Sequence, residues 1–137
     1  MKVEILNKEV HAPRKGSLLS AGIDVHSPIR FAIPKYTTIR IPLGIAIELN
    51  PDEVGTMSER SSMGKKGITS VGNVIDADYR GEISIMLQNN SNESVEFQQN
   101  DRIGQIVICK LGDNSVEVVD KLSDTERGEG GFGSTGK

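Results

Sequence analysis

Two aspartates, a tyrosine and an arginine are the residues of this chain best placed to do chemistry together. They lie in Gly72-Asn73-Val74-Ile75-Asp76-Ala77-Asp78-Tyr79-Arg80-Gly81-Glu82. A carboxylate can orient a water molecule and take its proton, and an aromatic ring can lie flat against a sugar. Val74 and Ile75 favour an extended strand, whereas Gly72, Asn73, Asp78 and Gly81 favour tight turns. The segment predicts a short hairpin with Asp76 and Tyr79 near its bend, where exposed N–H and C=O groups could read a flat polar ligand. Taken alone it supports only the plainer reading, a polar hairpin whose tyrosine closes the core.

Three other stretches carry groups suited to anions. Arg60-Ser61-Ser62 opens a stretch through Gly67 that predicts the only helical turns, because serine caps well and glycine can close the end. Asp101-Arg102-Ile103-Gly104-Gln105 offers a guanidinium and an amide. The segment from Arg127 to Lys137 is rich in glycine, with Phe132 as a stacking ring, Ser134 and Thr135 as hydroxyls and Arg127 as a bidentate fork. Gly131 to Lys137 also spells Gly-x-x-x-x-Gly-Lys, but the strand before and helix after that a phosphate loop needs are missing.

The elements that must position these groups are short strands. A chain of 137 residues with 15 Gly and 5 Pro suits one domain rich in turns, and 4% aromatic content with no Trp predicts an aliphatic core. Strand-like runs occur at Val3 to Leu6, Phe31 to Ile33, Thr38 to Pro42, Ile45 to Leu49, Val54 to Ser58, Ile83 to Leu87, Ser94 to Phe97, Arg102 to Leu111 and Val116 to Val119. This pattern predicts an all-β sandwich or barrel over residues 1–122, followed by a flexible arm over 123–137. A net charge of −3 argues against nucleic-acid binding through a general basic field. No apolar run approaches the ~20 residues of a membrane span, and the first residues lack a signal-peptide core, so the expected location is cytoplasmic. One cysteine excludes an internal disulfide, and two histidines with it cannot build a typical structural zinc site. Cys109 is expected to be a buried strand residue, and His11 and His26 surface or loop residues.

Ala21-Gly22-Ile23-Asp24, Arg60-Ser61-Ser62 with Lys66-Gly67, Val74 to Glu82, Asp101 to Gln105 and Arg127 to Gly136 follow one another in that order. Together they resemble the five-motif signature of the homotrimeric dUTPases, over nearly the whole chain. The resemblance implies a jelly-roll-like β-barrel assembled as a homotrimer, with three active sites at subunit interfaces and the C-terminal arm closing over them. It implies hydrolysis of dUTP to dUMP and pyrophosphate, which removes dUTP and supplies dUMP for thymidylate synthesis.

By the same resemblance, Asp76 would activate the water that attacks the α-phosphorus and would bind the sugar 3′-hydroxyl. Tyr79 would pack under the deoxyribose, and backbone groups from Ser70 through Asn73 and Val74 would read the uracil edge. Arg60, Ser61, Ser62 and Gln105 would bind phosphate oxygens; Arg127, Ser134 and Thr135 would grip the γ-phosphate, and Phe132 would stack on the base. Mg²⁺ would be held by the phosphates and water, with Asp24 reaching it only indirectly. Asp24 and Arg102 also suit a simple ion pair, and Asp78 a turn-shaping role. Three residues depart from the commonest pattern: Asn73 stands where glycine often does, Ser70 where some members carry a base-contacting asparagine, and Gly64 where alanine is frequent. Two rivals remain: the related dCTP deaminase branch, which would need a glutamate base, and a regulatory protein presenting its closed arm to a protein partner.

Overall fold

Alternation of period two builds the barrel wall. In Ser84–Asn89, Ile85, Leu87 and Asn89 turn inward and are fully buried, while Ser84, Met86 and Gln88 are half-buried on the other face. The structure, a computed structural model, describes residues 1–131. Its first strands are β1 (Lys2–Ile5), β2 (Arg14–Lys15), β3 (Ile23–His26), β4 (Phe31–Ile33), β5 (Thr38–Pro42), β6 (Ile45–Glu48) and β7 (Glu53–Ser58). A single turn of helix, α1 (Ser61–Gly64), precedes β8 (Ile68–Val71), β9 (Val74–Ile75), β10 (Ser84–Asn89), β11 (Val95–Phe97) and β12 (Arg102–Lys110).

All pairings are antiparallel. A five-stranded sheet runs β2-β3-β12-β7-β9, a three-stranded sheet β5-β10-β8, and two pairs, β1-β6 and β11-β4, complete the wall. The expected all-β, jelly-roll-like fold is what forms. Its core is aliphatic, as the composition requires, with Ile33, Leu43, Ile45, Ile85, Leu87 and Ile106 almost wholly excluded from water. Burying such side chains contributes roughly 1.5–3 kcal/mol each. Phe31 and Phe97 stack with centroids 4.9 Å apart, and the Lys66 ammonium lies 5.9 Å from the Phe97 centroid. No helix among the described residues is long and apolar enough to cross a membrane.

Four expectations need correction. The segment after β8 is not a hairpin: β8 pairs with β10 and β9 with β7, so the chain crosses between sheets. Gly72 makes that crossing at φ 64°, a conformation glycine adopts without steric cost. Val116–Val119 forms no strand; the last described strand ends at Lys110, and Val116 and Val118 are 90% and 93% exposed. A strand needs a neighbour for its backbone groups, and the described chain offers this segment none. His26 is buried: its ring stands edge-on to His11, and Arg102 of β12 lies opposite it. Cys109 is exposed, because the end of β12 runs beyond the core.

Candidate active site

One end of the five-stranded sheet gathers the anion-binding groups. Gln105 of β12 stands between Asp24 of β3 and Ser58 of β7, directly opposite both. The chain leaving β7 therefore carries Glu59, Arg60 and Ser61 over the same spot. Asp24 is 7% exposed and spends both oxygens on guanidinium groups: Oδ1 accepts from Arg60 Nε at 3.1 Å and Oδ2 from Arg102 NH1 at 3.2 Å. The expected Asp24–Arg102 pair is present, and Arg60 makes it a triad. With Gly22, Ser61 and Gln105, these three side chains line a recess of about 210 Å³.

Two guanidinium groups face one carboxylate there, so the recess is locally cationic although the chain carries −3 overall. Arg60 uses Nε for Asp24, which leaves its terminal nitrogens for a ligand. Ser61 and Ser62 are both exposed, and only Ser61 lines the recess. A Cβ built on Gly22 would stand 1.9 Å from Gln105 Oε1, so only glycine at this position lets the amide lie where it does.

Asp76 and Tyr79 line a second recess of about 220 Å³, together with Gly72, Val74 and Ile83. Asp76 is exposed. The Tyr79 N–H donates to the Asp76 carbonyl at 3.2 Å, closing a turn. Arg80 clamps that turn from outside, its NH1 donating to the carbonyls of Ala77 at 2.7 Å and Tyr79 at 3.1 Å. The Tyr79 ring folds back across Gly81, where a Cβ would meet the hydroxyl oxygen at 2.3 Å, and the hydroxyl donates to the Glu82 carbonyl at 3.2 Å. The ring is thus held edge and face, with 46% of the residue open to solvent. Asp78 is exposed and lines a larger, adjoining recess with Arg80 and Leu111, which Asp76 also borders.

The turn's departures from the commonest pattern acquire a physical account. Gly72, not Asn73, holds the left-handed backbone, so asparagine at 73 meets no steric objection. Asn73 lies beside the recess rather than in its lining; Nδ2 donates to the Ser70 carbonyl at 3.3 Å, and Oδ1 is buried without a partner.

Sequence reasoning passed over Glu59, Glu82 and the clamping role of Arg80. Glu59 accepts from the Ser70 hydroxyl at 2.6 Å and the Ser70 N–H at 3.1 Å, and its carbonyl accepts from Gln105 Nε2 at 3.2 Å. The Ser70 hydroxyl, then the N–H groups of Glu59 and Ser70, hold its carboxyl below the usual carboxylate range. Glu82 Oε1 accepts from the Gly44 N–H at 2.9 Å and anchors the far side of the tyrosine turn. The only signal was position: Glu59 directly precedes one recognised motif, and Glu82 ends another.

Arg127 is exposed and donates from Nε to the Gly130 carbonyl at 2.7 Å, joining neither recess. Phe132, Ser134 and Thr135 lie outside the described residues. Among the described residues no three His, Cys, Asp or Glu side chains converge on a metal-sized site, and both Asp24 oxygens are engaged. Mg²⁺ keeps water and phosphate ligands readily, so a triphosphate-bound ion does not require such a cluster.

A protein-family model described as dUTPase matches residues 8–136. The deoxyuridine 5'-triphosphate nucleotidohydrolase of Nautilia profundicola is 40% identical over 140 residues, covering 100% of this chain and 99% of its own. That of Candida glabrata is 37% identical over 139 residues, covering 100% of this chain and 96% of its own. Among solved structures, the Staphylococcus bacteriophage 80alpha dUTPase with dUpNHpp superposes with a TM-score of 0.91 at 24% identity, covering 99% of this chain and 98% of its own. Five ordered motifs, two recesses built from four of them and relatives matched end to end lead to one conclusion: the chain belongs to the dUTPase family.

Proposed function

We propose that this chain hydrolyses dUTP to dUMP and pyrophosphate, with Asp76 as the general base. The observation that carries the proposal is Asp76 standing exposed on a turn clamped by Arg80, beside a tyrosine ring fixed across Gly81. Asp76 orients a water and takes its proton as the water oxygen bonds the α-phosphorus. The α–β bridging oxygen leaves with the electron pair, as pyrophosphate. A carboxylate is a weak base, so alignment must supply much of the rate. The Tyr79 ring packs against the deoxyribose, where a 2′-hydroxyl would clash.

Arg60, Ser61 and Gln105 hold phosphate oxygens in the cationic recess, and Ser62 adds its N–H or hydroxyl from the first turn of α1. Asp24 holds Arg60 and Arg102 in place and would reach the metal only through water. Mg²⁺ bound to the triphosphate neutralises charge and fixes the phosphate chain.

The working unit is a homotrimer. The two recesses of one chain share no lining residue, which suits sites completed by a second copy. Val116, Val118 and Leu122, at least 80% exposed here, also suit burial against a neighbour. The segment 123–137, with Arg127, Phe132, Ser134 and Thr135, serves as an arm that closes over base and γ-phosphate. A free, exposed thiol at Cys109 supports a reducing, cytoplasmic setting, although a human relative is described as mitochondrial.

The test is purified protein with Mg²⁺ and each of dUTP, dTTP, dCTP and UTP. Pyrophosphate from dUTP alone is expected; ammonia from dCTP would instead mark a deaminase. Deletion after Glu126 should remove most turnover while leaving the melting temperature in place, since among the described residues none beyond Ile108 packs on the core.

A further inference from the structure

We propose that Glu59, Ser70 and Asn73 act as one positioning unit that aims the base-reading turn, so that uracil is recognised by backbone groups held rigid rather than by a side chain touching the base. The proposal rests on the reading of that turn given above. Its parts form a continuous chain of bonds. Glu59 Oε2 accepts from both the hydroxyl and the N–H of Ser70, at 2.6 and 3.1 Å. The Ser70 carbonyl accepts from Asn73 Nδ2 at 3.3 Å, and the Asn73 carbonyl accepts from the Met57 N–H at 2.8 Å. Both ends of the segment from Ser70 to Asn73 are therefore tied to β7 or its immediate extension.

These bonds engage the Ser70 hydroxyl and one of the two Asn73 amide protons. The Ser70 proton is directed at a carboxylate, in a short, charge-assisted bond that a neutral base edge would not displace. The Asn73 amide is directed at Ser70. The backbone around Gly72, at a left-handed φ of 64°, lies between the two tied ends and is left to face the base. Ser70 and Asn73 are also the two residues of the turn that depart from the family's commonest pattern, and they bond each other. A changed pair of side chains has become a brace.

Glu59 has a second engagement, on the opposite side. Its carbonyl accepts from Gln105 Nε2 at 3.2 Å, so the residue that braces the turn also seats an amide of the phosphate recess. Refusal of cytosine depends on leaving buried groups unpaired, and that penalty survives only if the groups cannot shift to find new partners. Groups of this kind must be held to about 0.5 Å. A loosened turn should thus accept cytosine more readily, with the loss falling on binding rather than on the chemical step.

The test compares KM for dUTP with the inhibition constant of dCTP in the wild type, Glu59→Ala, Ser70→Ala, the double variant and Glu59→Gln. Each alanine variant should narrow the preference for dUTP by about tenfold, mostly through KM. The double variant should lose no more than either single one, because both cut the same link. Glu59→Gln keeps an acceptor for Ser70 and should recover most of the preference. The proposal is overturned if Ser70→Ala narrows the preference and Glu59→Ala does not, which would make the hydroxyl a direct base contact. It is equally overturned if the variants lower only the urea midpoint and leave the preference unmoved. Wild-type release of pyrophosphate from dUTP is the control: its absence would remove the reading of the site, whereas turnover with an unmoved preference would remove the brace alone.

Discussion

Gly22 and Gln105 compete for one volume: a Cβ on Gly22 would fall 1.9 Å from Gln105 Oε1 and 2.7 Å from its Cδ. The relationship joins the first half of β12 to the chain entering β3, and it explains a glycine that no turn demands, since Gly22 has no left-handed φ. The obstacle is the far end of a flexible side chain, so the fold can absorb a methyl group there, but the amide must leave the recess. Gly22→Ala should therefore change the melting temperature little while lowering kcat/KM for dUTP about tenfold. In a Gln105→Ala background the same substitution should cost nothing further, a non-additivity that steady-state kinetics would reveal.

Asp76 is exposed, and its carbonyl rather than its carboxylate carries the turn's hydrogen bond. Asp76→Asn should leave stability within about 0.5 kcal/mol, as surface substitutions usually do. Turnover of dUTP should drop by at least about a hundredfold, because the amide cannot accept the water's proton. Binding of dUpNHpp, measured by calorimetry, should persist. An active Asp76→Asn enzyme would assign the base to another residue.

His26 gives the protein an acid-sensitive limb. It is buried, its Nδ1 has no partner, and the His11 ring stands edge-on with centroids 5.3 Å apart. Burial first, then His11 and Arg14, push its pKa below 6.5; Arg102 acts the same way and Asp24 opposes them. The folded protein therefore binds this proton less readily than the unfolded chain. Stability is unaffected above about pH 6.5 and is lost as pH falls from there towards the folded-state value. Glu59, with its carboxyl held below 4.5, contributes over a different window, its stabilisation being lost only as pH falls further. The urea midpoint should thus decline as pH falls below about 6.5, and His26→Phe should flatten that decline. An unchanged slope in the variant would place the sensitivity elsewhere.

Gly64 closes α1 with no heavy atom within 4 Å of where its Cβ would be, and its φ is not left-handed. Alanine should fit without strain and limit the unfolded chain. Gly64→Ala is expected to stabilise the protein by ~0.5–1 kcal/mol in urea titration, with KM for dUTP unchanged.

Much of this molecule was legible in one dimension. The positions of strands β4, β5, β7, β10 and β12 follow from apolar runs bounded by Pro, Gly and Asn, because alternation and turn chemistry are local. The turn at Asp76, the serines at the start of α1 and the order of the motifs were equally local, and they were enough to indicate the family. Tertiary structure decided what depended on distant partners. Nothing in the spacing of Asp24, Arg60 and Arg102 states that one carboxylate serves both guanidinium groups; that follows from β3 and the β7–α1 junction flanking β12. The burial of His26, the exposure of Cys109 and the divergence of β8 and β9 were set by how remote segments packed and paired. Glu59 could be read as a brace only once Ser70 lay beside it. Propensity and periodicity act over a few residues and are written in the sequence, whereas hydrogen-bond partners between remote segments exist only after the chain has folded.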